Sequence, residues 1–553
     1  ILLTYIIGGT MARWIAIWLT VLSGQVFAQT SAPANNSIQQ SDLKADLYFL
    51  ASDVMQGRLT NTPENRLAAE FIKSRFERMG LQAAGPNESF YQPFNIITTT
   101  LGDDNRFVIS SMEQPATERS LRLGQDYYPL TLSANGRTRG ELVFAGFGID
   151  APSLAHDDYR TGSVEGKIVM ILDHEPGERN PESPFDGVVT SEFARTLRKV
   201  VTAQAHGALA VLFVSDVHNH PESTNFEAVA ARTWPTTSAR VPRYMLETWM
   251  NKVKIPVVQI SPAIANDLLR VDGTSLEELA QSAEASGGVT LRTVTGQQLD
   301  LGTAVNRHTI PDRNVVAMIK GADPDLAHEF VIVCAHYDHN GADGTRIFNG
   351  ADDDGSGTVA LLEIAEAYAL AAATGFRPRR SILFAAWNSE ERGLLGAWAY
   401  TENPLVPLSN TVAVLNMDMI GRNEEVPVGG GGRFRGLEVQ TAESNNNALN
   451  ILGYTYSPDL LNEVEESNEV YGLELKMRYD NNRSNLLRRS DQWPFLQNRV
   501  PALFFHTGLH PDYHTTNDRP EKINYVKMET IARLVHQVSW NLAQTSSRPR
   551  YIK

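Results

Sequence analysis

Residues 329–357, EFVIVCAHYDHNGADGTRIFNGADDDGSG, place an apolar run directly before a loop of glycine and acidic residues. The apolar part, residues 330–335, lacks polar alternation, which is typical of a strand buried on both faces of a sheet. The stretch that follows, GTVALLEIAEAYALAAA (357–373), predicts a helix. A buried strand, a polar loop and a helix in succession indicate a layered α/β domain.

The same alternation continues toward the end of the chain. SILFAAWN, TVAVLNMDM and PALFFHTG are further apolar runs, and the amphipathic stretch 525–545 predicts a terminal helix. Residues 41–126 begin with two amphipathic helical patterns separated by a turn. We therefore predict an α/β fold, a mixed central sheet flanked by helices, built from residues 41–126 and 296–548.

The middle of the chain has a different character. Residues 127–295 alternate short β runs, such as GELVFAGFGI, GKIVMILD and IPVVQISP, with turns and one helical stretch. This pattern predicts a mainly β domain inserted into the α/β domain.

The N-terminal part resembles an export signal. Arg13 precedes the apolar run Trp14–Leu22, and small residues end at a cleavage site before Gln29. Residues 1–28 are therefore predicted to be upstream residues and a signal peptide, followed by a flexible leader, residues 29–40. The run is short for a membrane span. We expect an exported protein, periplasmic or secreted, without stable membrane insertion after cleavage.

Length and composition limit the class of protein. The 553 residues are too many for one core, and 42% apolar with 20% charged residues fits a globular chain. The net charge of −15 argues against a nucleic-acid partner, which needs clustered cations. Cys334 is the only cysteine, so no intramolecular disulfide forms, and its apolar neighbours predict a buried thiol.

Side chains that bind metals follow the predicted strands at five places. Open α/β sheets carry their sites at the carboxyl ends of the strands. Imidazoles and carboxylates without a thiolate suit zinc, with cobalt or manganese as chemical alternatives. The five places are His336-Tyr337-Asp338, Asp352-Asp353-Asp354, Glu390-Glu391, Asp418 and His514.

Three of these places suggest particular roles. Asp338 lies two residues after His336, on the same side of an extended segment, so that it can orient the imidazole ring. The run Asp352–Asp354 is either a capping loop or a group whose mutual repulsion requires a cation. Adjacent carboxylates point in different directions, so one of Glu390 and Glu391 can bind a metal while the other acts as general base.

The last two places end strands. Asp418 ends an apolar strand, where a carboxylate is costly to bury unless it is paired or bound to metal. His514 follows the strand PALFFH, and we favour it over His506, which continues the strand, and His510, which precedes a proline turn.

The motifs AHYDH, GADDDGSG, NSEERGLLGAWAY, NMDMIG and DYHTTND occur in this order. Together they resemble the two-zinc aminopeptidase family, metallopeptidase family twenty-eight. The resemblance covers residues 41–126 and 296–545. VEGKIVMI and AHGALAVLFV, in the middle segment, resemble more loosely a protease-associated domain inserted into the peptidase domain.

The resemblance implies two Zn²⁺ ions per chain. Asp353 would bridge them, since the family's bridging aspartate lies three residues before the serine of its Ser-Gly pair. His336 and Asp418 would complete one zinc site, and Glu391 and His514 the other. The family often has a cis peptide at this aspartate, so Asp353–Asp354 is a candidate for one.

The resemblance also implies catalytic roles. Glu390 would be the general base toward a metal-bridging water, and Tyr513 would donate a hydrogen bond to the oxyanion. Asp338 would orient His336. The implied activity is an aminopeptidase that releases N-terminal residues from peptides with a free N-terminus.

Other functions remain open at this point. A non-catalytic binding module would lack some ligands, and a single-zinc acyltransferase of the glutaminyl cyclase type would not keep both His336 and Asp418. A carboxypeptidase or another amide hydrolase with the same di-zinc centre would need cations to bind a substrate carboxylate. The candidate cations are Arg433, Arg435, Arg483, Arg488 and Arg489.

Overall fold

Two β-sheets, each covered by helices, form most of the described part of the chain. The predicted signal peptide, within residues 1–28, lies outside the described residues. The computed structural model describes residues 31–112, 117–222, 225–237, 239–285 and 287–553.

The helices bear out the predicted amphipathic stretches at both ends of the α/β part. The α-helices are α1 (Gln40–Leu50), α2 (Pro63–Arg78), α3 (Thr196–Ala205), α4 (Phe226–Thr233), α5 (Glu247–Lys252), α6 (Pro262–Arg270), α7 (Leu276–Ala283), α8 (Gly357–Ala373), α9 (Leu395–Glu402), α10 (Pro458–Asn468), α11 (Gln492–Gln497) and α12 (Tyr525–Gln544).

The strands range from two to fifteen residues. They are β1 (Gln82–Ala83), β2 (Tyr91–Leu101), β3 (Arg106–Ser111), β4 (Glu118–Ser120), β5 (Tyr127–Pro129), β6 (Gly136–Phe144), β7 (Asp150–Ala151), β8 (His156–Asp157), β9 (Ile168–Leu172), β10 (Ala210–Val214), β11 (Met245–Leu246), β12 (Val257–Ile260), β13 (Arg292–Thr303), β14 (Val305–Ile319), β15 (Phe330–His336), β16 (Ala342–Asp343), β17 (Arg346–Ile347), β18 (Ser381–Trp387), β19 (Thr411–Met417), β20 (Ala448–Leu452), β21 (Glu474–Lys476) and β22 (Ala502–His506).

Local capping explains where several helices begin. The side chain of Thr62 accepts a hydrogen bond from the backbone N–H of Asn65 at 3.2 Å, and Pro63 occupies the first turn of α2. At the other end of the chain, Asn524 caps α12 by accepting from the backbone N–H of Lys527 at 3.2 Å. Each cap satisfies an N–H group that the first helical turn leaves without an intrahelical partner.

The first sheet has the order β11-β2-β14-β18-β15-β19-β22-β20-β21, with β1 also paired to β14. Its central strands β18, β15, β19 and β22 are parallel, whereas β2 and β14 pair antiparallel with their neighbours. Strand β20 is antiparallel to β22 and parallel to β21. The predicted mixed central sheet is therefore confirmed. Strands β15, β18 and β19 are buried along their whole length.

Helices cover both faces of this sheet. Helices α1, α2, α8 and α12 pack on one face and share one apolar core with it. The other face packs against α9 and α11 and against apolar residues of the second sheet. Cys334 on β15 is buried, as predicted, and burial raises the pKa of its thiol well above the ordinary value. The residues Ala351–Ala373 have the length and composition of a membrane span, but they belong largely to this core.

The second sheet has the order β4-β3-β13-β6-β9-β10-β12-β5 and is also mixed, with β6, β9, β10 and β12 parallel. Apart from the two-residue strand β11, which pairs with β2 of the first sheet, the chain passes from the first sheet to the second at residues 102–105 and returns at Ala304. Asn105 joins the two crossings, since its amide donates to the carbonyl of Ala304 at 3.0 Å and its Oδ1 accepts from the N–H of Ala304 at 2.8 Å. The second sheet thus extends beyond the predicted segment 127–295 at both ends, because β3 and β13 pair with each other.

Glu363 on α8 is a carboxyl group within the helical layer, only 3% exposed. Its Oε1 has no hydrogen-bond partner within the described residues. Burial, followed by the negative charge of Asp42, raises the pKa of Glu363 to about 8. The side chain therefore holds a proton near neutral pH in the folded protein.

We predict that Glu363→Gln stabilises the protein increasingly as pH rises. The folded state binds this proton more tightly than the unfolded state, whose pKa is near 4.5, so the wild-type free energy of unfolding decreases between about pH 5 and pH 8. Glutamine does not titrate, so the variant keeps its stability over this range. Its free energy of unfolding should exceed that of wild type by roughly 2–4 kcal/mol above pH 8. Chemical denaturation at several pH values measures it. Glu465→Gln, on the exposed side of α10, is the control; parallel curves for Glu363→Gln and wild type would contradict the prediction.

Candidate metal centre

The predicted site residues meet at the carboxyl end of the central parallel strands. His336 is the last residue of β15, and Asp418 follows β19. Glu390 and Glu391 form a short turn after β18, and His514 lies in the loop after β22. The side chains are brought together because these four strands are parallel neighbours in the sheet.

One cluster surrounds the imidazole of His336. Its Nε2 lies 3.3 Å from Asp353 Oδ1 and 3.7 Å from Asp418 Oδ2. The same nitrogen is 3.7 Å from Glu390 Oε2. His336, Glu390 and Asp418 are buried and converge closely enough to hold one metal ion.

A second cluster lies on the other side of Asp353. His514 Nε2 is 2.9 Å from Asp353 Oδ2 and 3.2 Å from Glu391 Oε2. His339 Nδ1 is 2.7 Å from Glu391 Oε1 and 3.8 Å from Asp353 Oδ2. The two oxygens of Asp353 therefore face different clusters, one toward His336 and the other toward His514.

The tautomer of His336 suits metal binding. Its Nδ1 is 3.2 Å from the backbone oxygen of Asp338, which can only accept, so Nδ1 carries the hydrogen. The lone pair of Nε2 then faces carboxylate oxygens, and Nε2 has no hydrogen-bond partner in the described part of the chain. Burial lowers the pKa of His336, but the nearby carboxylates outweigh burial and raise it well above the ordinary value. The carboxylates give this pocket an excess of negative charge, which suits a divalent cation.

The structure separates the three consecutive aspartates by their partners. Asp352 Oδ1 accepts from the backbone N–H of Gly421 at 2.6 Å, and Asp354 Oδ1 accepts from that of Gly357 at 2.8 Å. Asp353 instead faces the histidines, which outweigh burial and hold its pKa well below the ordinary value, so that it stays ionised. The Asp353–Asp354 peptide is cis, as the family resemblance implies.

The three histidines near the end of β22 have different surroundings. His506 Nδ1 lies 2.9 Å from the backbone oxygen of Asp418, and His510 Nε2 lies 3.2 Å from Asp352 Oδ2. His514 is the one of the three whose imidazole reaches both carboxylates of the second cluster. The structure thus places His514 where the sequence favoured it.

Asp338 differs from the prediction in how it acts. Its carboxylate Oδ1 is 3.7 Å from His336 Nδ1, too far for a hydrogen bond, and the ring is held by the Asp338 backbone oxygen instead. The carboxylate accepts from the backbone N–H of Glu390 at 2.9 Å and of Glu391 at 3.3 Å. The turn after β18 places these two amides beside the carboxylate. Asp338 therefore positions both glutamates through its carboxylate and the histidine through its backbone oxygen.

Glu390 and Tyr513 keep their protons more tightly than usual. Burial, followed by the charge of Asp418, raises the pKa of Glu390 well above its ordinary value although His336 opposes this shift. Burial also raises the pKa of Tyr513, so its hydroxyl remains a hydrogen-bond donor. The Tyr513 ring stacks on His514 with 3.9 Å between ring centroids.

A cleft of about 290 Å³ opens onto both clusters. Two of the arginines considered as carboxylate clamps, Arg488 and Arg489, line it, while Arg435 and Arg483 line an adjacent cavity with them. The apolar part of the wall consists of Leu394, Met419, Leu486, Phe504 and Leu509.

Sequence reasoning missed four residues of this site. His339 was visible as the second histidine of AHYDH, but nothing in the motif distinguished it. Ser490 Oγ donates to Asp418 Oδ2 at 2.6 Å, and both carboxylate oxygens of the adjacent Asp491 are buried without a hydrogen-bond partner among the described residues. Arg58 is distant in sequence, and no local signal marks it.

Arg58 is fully buried beneath the centre. Its Nη1 donates to the backbone oxygens of Leu50 and Asn349, each at 2.7 Å. Its Nε donates to the oxygen of Tyr337 at 2.8 Å and its Nη2 to that of Gly350 at 2.9 Å. One guanidinium thus ties the loop after β15 to the loop that carries Asp353.

The donor set fits zinc, because it combines imidazoles with carboxylates and contains no thiolate. Two histidine–carboxylate clusters that share one aspartate, at the edge of an α/β sheet, are typical of metal-dependent hydrolases. The family model of Peptidase family M28 matches residues 314–539. This part of the chain is therefore similar to the family that its motifs resemble.

Curated relatives have similar sequences. Probable glutamate carboxypeptidase AMP1 of Arabidopsis thaliana is 32% identical over 211 residues, which are 37% of this chain and 26% of that protein. Aminopeptidase YwaD of Bacillus subtilis is 25% identical over 367 residues, 64% of this chain and 67% of that protein. This chain thus spans about a quarter of the plant relative.

A solved structure aligns with most of the chain. The aminopeptidase from Aneurinibacillus sp. strain AM-1 is 18% identical, with a TM-score of 0.47. The comparison covers 94% of this chain and 98% of that one.

We predict that Arg58→Met destabilises the protein by at least about 3 kcal/mol, because four buried carbonyl groups lose their donor. Chemical denaturation of the metal-free protein measures this loss without a contribution from bound metal. Arg66→Met, on the exposed face of α2, is the matched control and should change stability little. An equal effect of the two substitutions would show that the carbonyl contacts of Arg58 contribute nothing.

Proposed function

We propose that the protein is a two-zinc exopeptidase, an aminopeptidase that hydrolyses the first peptide bond of peptides with a free N-terminus. The observation that carries this proposal is the position of Asp353, whose Oδ1 is 3.3 Å from His336 and whose Oδ2 is 2.9 Å from His514. A carboxylate with one oxygen toward each of two ligand clusters is suited to bridge two metal ions.

His336 and Asp418 would hold one zinc ion together with Asp353, and Glu391 and His514 would hold the other. His339 contacts the same carboxylate as His514 and would support the second position. Zinc ions bound there supply Lewis acidity toward the scissile carbonyl and lower the pKa of water.

Glu390 is the general base of this proposal. It lies beside Glu391, but its carboxylate turns toward His336 at 3.7 Å and borders the cleft. Its raised pKa suits a group that takes a proton from the attacking water and passes it to the leaving amine nitrogen. Asp338 fixes this carboxylate through the backbone N–H of Glu390.

Tyr513 would bind the oxyanion. The ring borders the cleft and stacks on His514, so its hydroxyl belongs to the same wall as the second cluster. Because burial keeps the phenol protonated, it donates a hydrogen bond rather than repelling the developing negative charge.

Two observations support an aminopeptidase. A cleft of about 290 Å³ accommodates one side chain rather than an extended peptide, which suits an exopeptidase. The Bacillus subtilis relative named an aminopeptidase matches over 64% of this chain, whereas the relatives named glutamate carboxypeptidases match over 53% of it or less. Arg488 and Arg489 in the cleft favour a carboxypeptidase as the second candidate.

We further propose that the enzyme acts after export, in the periplasm or outside the cell, as the signal-like sequence within residues 1–28 suggests. Its net charge of −15 fits peptide substrates better than nucleic acids. The inserted segment, residues 127–295, is assigned to a protease-associated domain on sequence resemblance.

We predict that the purified protein hydrolyses aminoacyl-nitroanilides and loses this activity in a zinc chelator, because both clusters require metal. Apolar residues such as leucine should be favoured, since much of the cleft wall is apolar. A panel of free and amino-blocked peptides, analysed by mass spectrometry, distinguishes the candidates. Release of C-terminal residues from amino-blocked peptides would establish the carboxypeptidase instead.

We predict that Glu390→Gln lowers kcat by about 10²–10⁴-fold, because the amide cannot accept the proton. The variant should keep its full zinc content, which elemental analysis measures. Glu443→Gln, an exposed substitution in the same domain, should leave kcat unchanged. A kcat within a few-fold of wild type in Glu390→Gln would exclude this residue as the base.

A further inference from the structure

A group of metal-binding side chains lies in the second sheet, away from the centre described above. His174 and Glu178 follow β9, and His220 follows β10. Strands β9 and β10 are parallel neighbours, so the loops after them emerge at the same edge of the sheet. This places the three side chains together although up to 46 residues separate them in sequence.

The three side chains converge on Glu178. Its Oε2 is 3.0 Å from His174 Nδ1, and its Oε1 is 2.5 Å from His220 Nε2. The ring centroids of the two histidines are 4.2 Å apart with an angle of 29° between the ring planes. One ligand atom from each residue lies within 4.8 Å of the other two.

The loops are held in place independently of these ligands. The carboxylate of Glu284 accepts from the backbone N–H of Gly177 at 2.7 Å and from the amide of Asn219 at 2.6 Å. Asp216 accepts from that same Asn219 amide at 2.8 Å. Both loops are therefore fixed by a shared partner, so the ligand atoms are brought together before any ion binds.

Glu178 is the group that His220 Nε2 contacts. This nitrogen is buried and, apart from that carboxylate, has no polar partner within the described ranges. The side chains of His174 and His220 remain 43% and 38% exposed, which leaves the outer side of the group open to water. Two imidazoles and one carboxylate with an open position form a donor set that zinc prefers.

We propose that His174, Glu178 and His220 form a third zinc site, separate from the two-metal centre. An ion there would join the loop after β9 to the loop after β10. The donor atoms need to move by no more than about 1–2 Å to reach zinc at about 2.0–2.2 Å each.

The loop after β9 also contacts the catalytic half of the chain. The backbone N–H of Val188 donates to Asn481 Oδ1 at 2.9 Å, and the amide of Asn481 donates to the oxygen of Pro181 at 3.1 Å. Arg488, which lines the catalytic cleft, donates to the oxygen of Thr190 at 3.4 Å. A zinc ion at the proposed site would therefore stabilise the segment that packs against the cleft wall.

The test is the zinc content of the full-length protein after loading with zinc and removal of excess ion. Wild type should hold about three zinc ions per chain, and both His220→Ala and Glu178→Gln about one fewer. His218→Ala removes an exposed histidine of the same loop and should keep the wild-type content. Circular dichroism verifies that each variant is folded.

The difference between wild type and variant isolates this site from the two-metal centre. Equal zinc content in wild type, His220→Ala and Glu178→Gln would overturn the proposal, whatever the occupancy of the catalytic positions. Thermal unfolding gives a second measure, because an ion that binds only the folded state raises the Tm. The rise in Tm on adding zinc should be smaller in both variants than in His218→Ala, and equal rises would also overturn the proposal.

Discussion

The negative charge buried at the carboxyl end of the central sheet is the constraint on which the site depends. Asp353, Glu390, Glu391 and Asp418 line one pocket, and holding carboxylates so close together away from water is costly without cations. The histidines offset part of this repulsion. Bound metal would supply the remaining positive charge and would couple the folding of this region to metal binding.

Backbone groups determine which carboxylates remain available to metal. Asp352 and Asp354 are engaged by amide hydrogens, and Asp338 is engaged by the turn that carries Glu390. The carboxylates that line the cleft are those of Asp353, Glu390, Glu391 and Asp418. Beneath them, Arg58 fixes the loop carbonyls, so the ligand geometry is set by ordinary hydrogen bonds in the surrounding loops.

The second sheet contacts a residue of the cleft wall through one of its loops. Its loop after β9 packs against residues 481–488, and Arg488 contacts that loop while lining the cleft. Structural changes in the inserted segment can therefore affect the cleft through the contact between this loop and Arg488. The proposed third zinc site would hold the loop that makes this contact.

The sequence by itself determined the mixed α/β sheet and the order of the ligand motifs, because buried strands and helices leave distinct hydrophobic patterns. It also indicated His336, Asp418 and His514, each of which follows a strand. Only the tertiary structure showed that Arg58 and the loop residues 490–491 belong to the site. Their roles depend on contacts across hundreds or dozens of residues, and no local periodicity encodes such contacts.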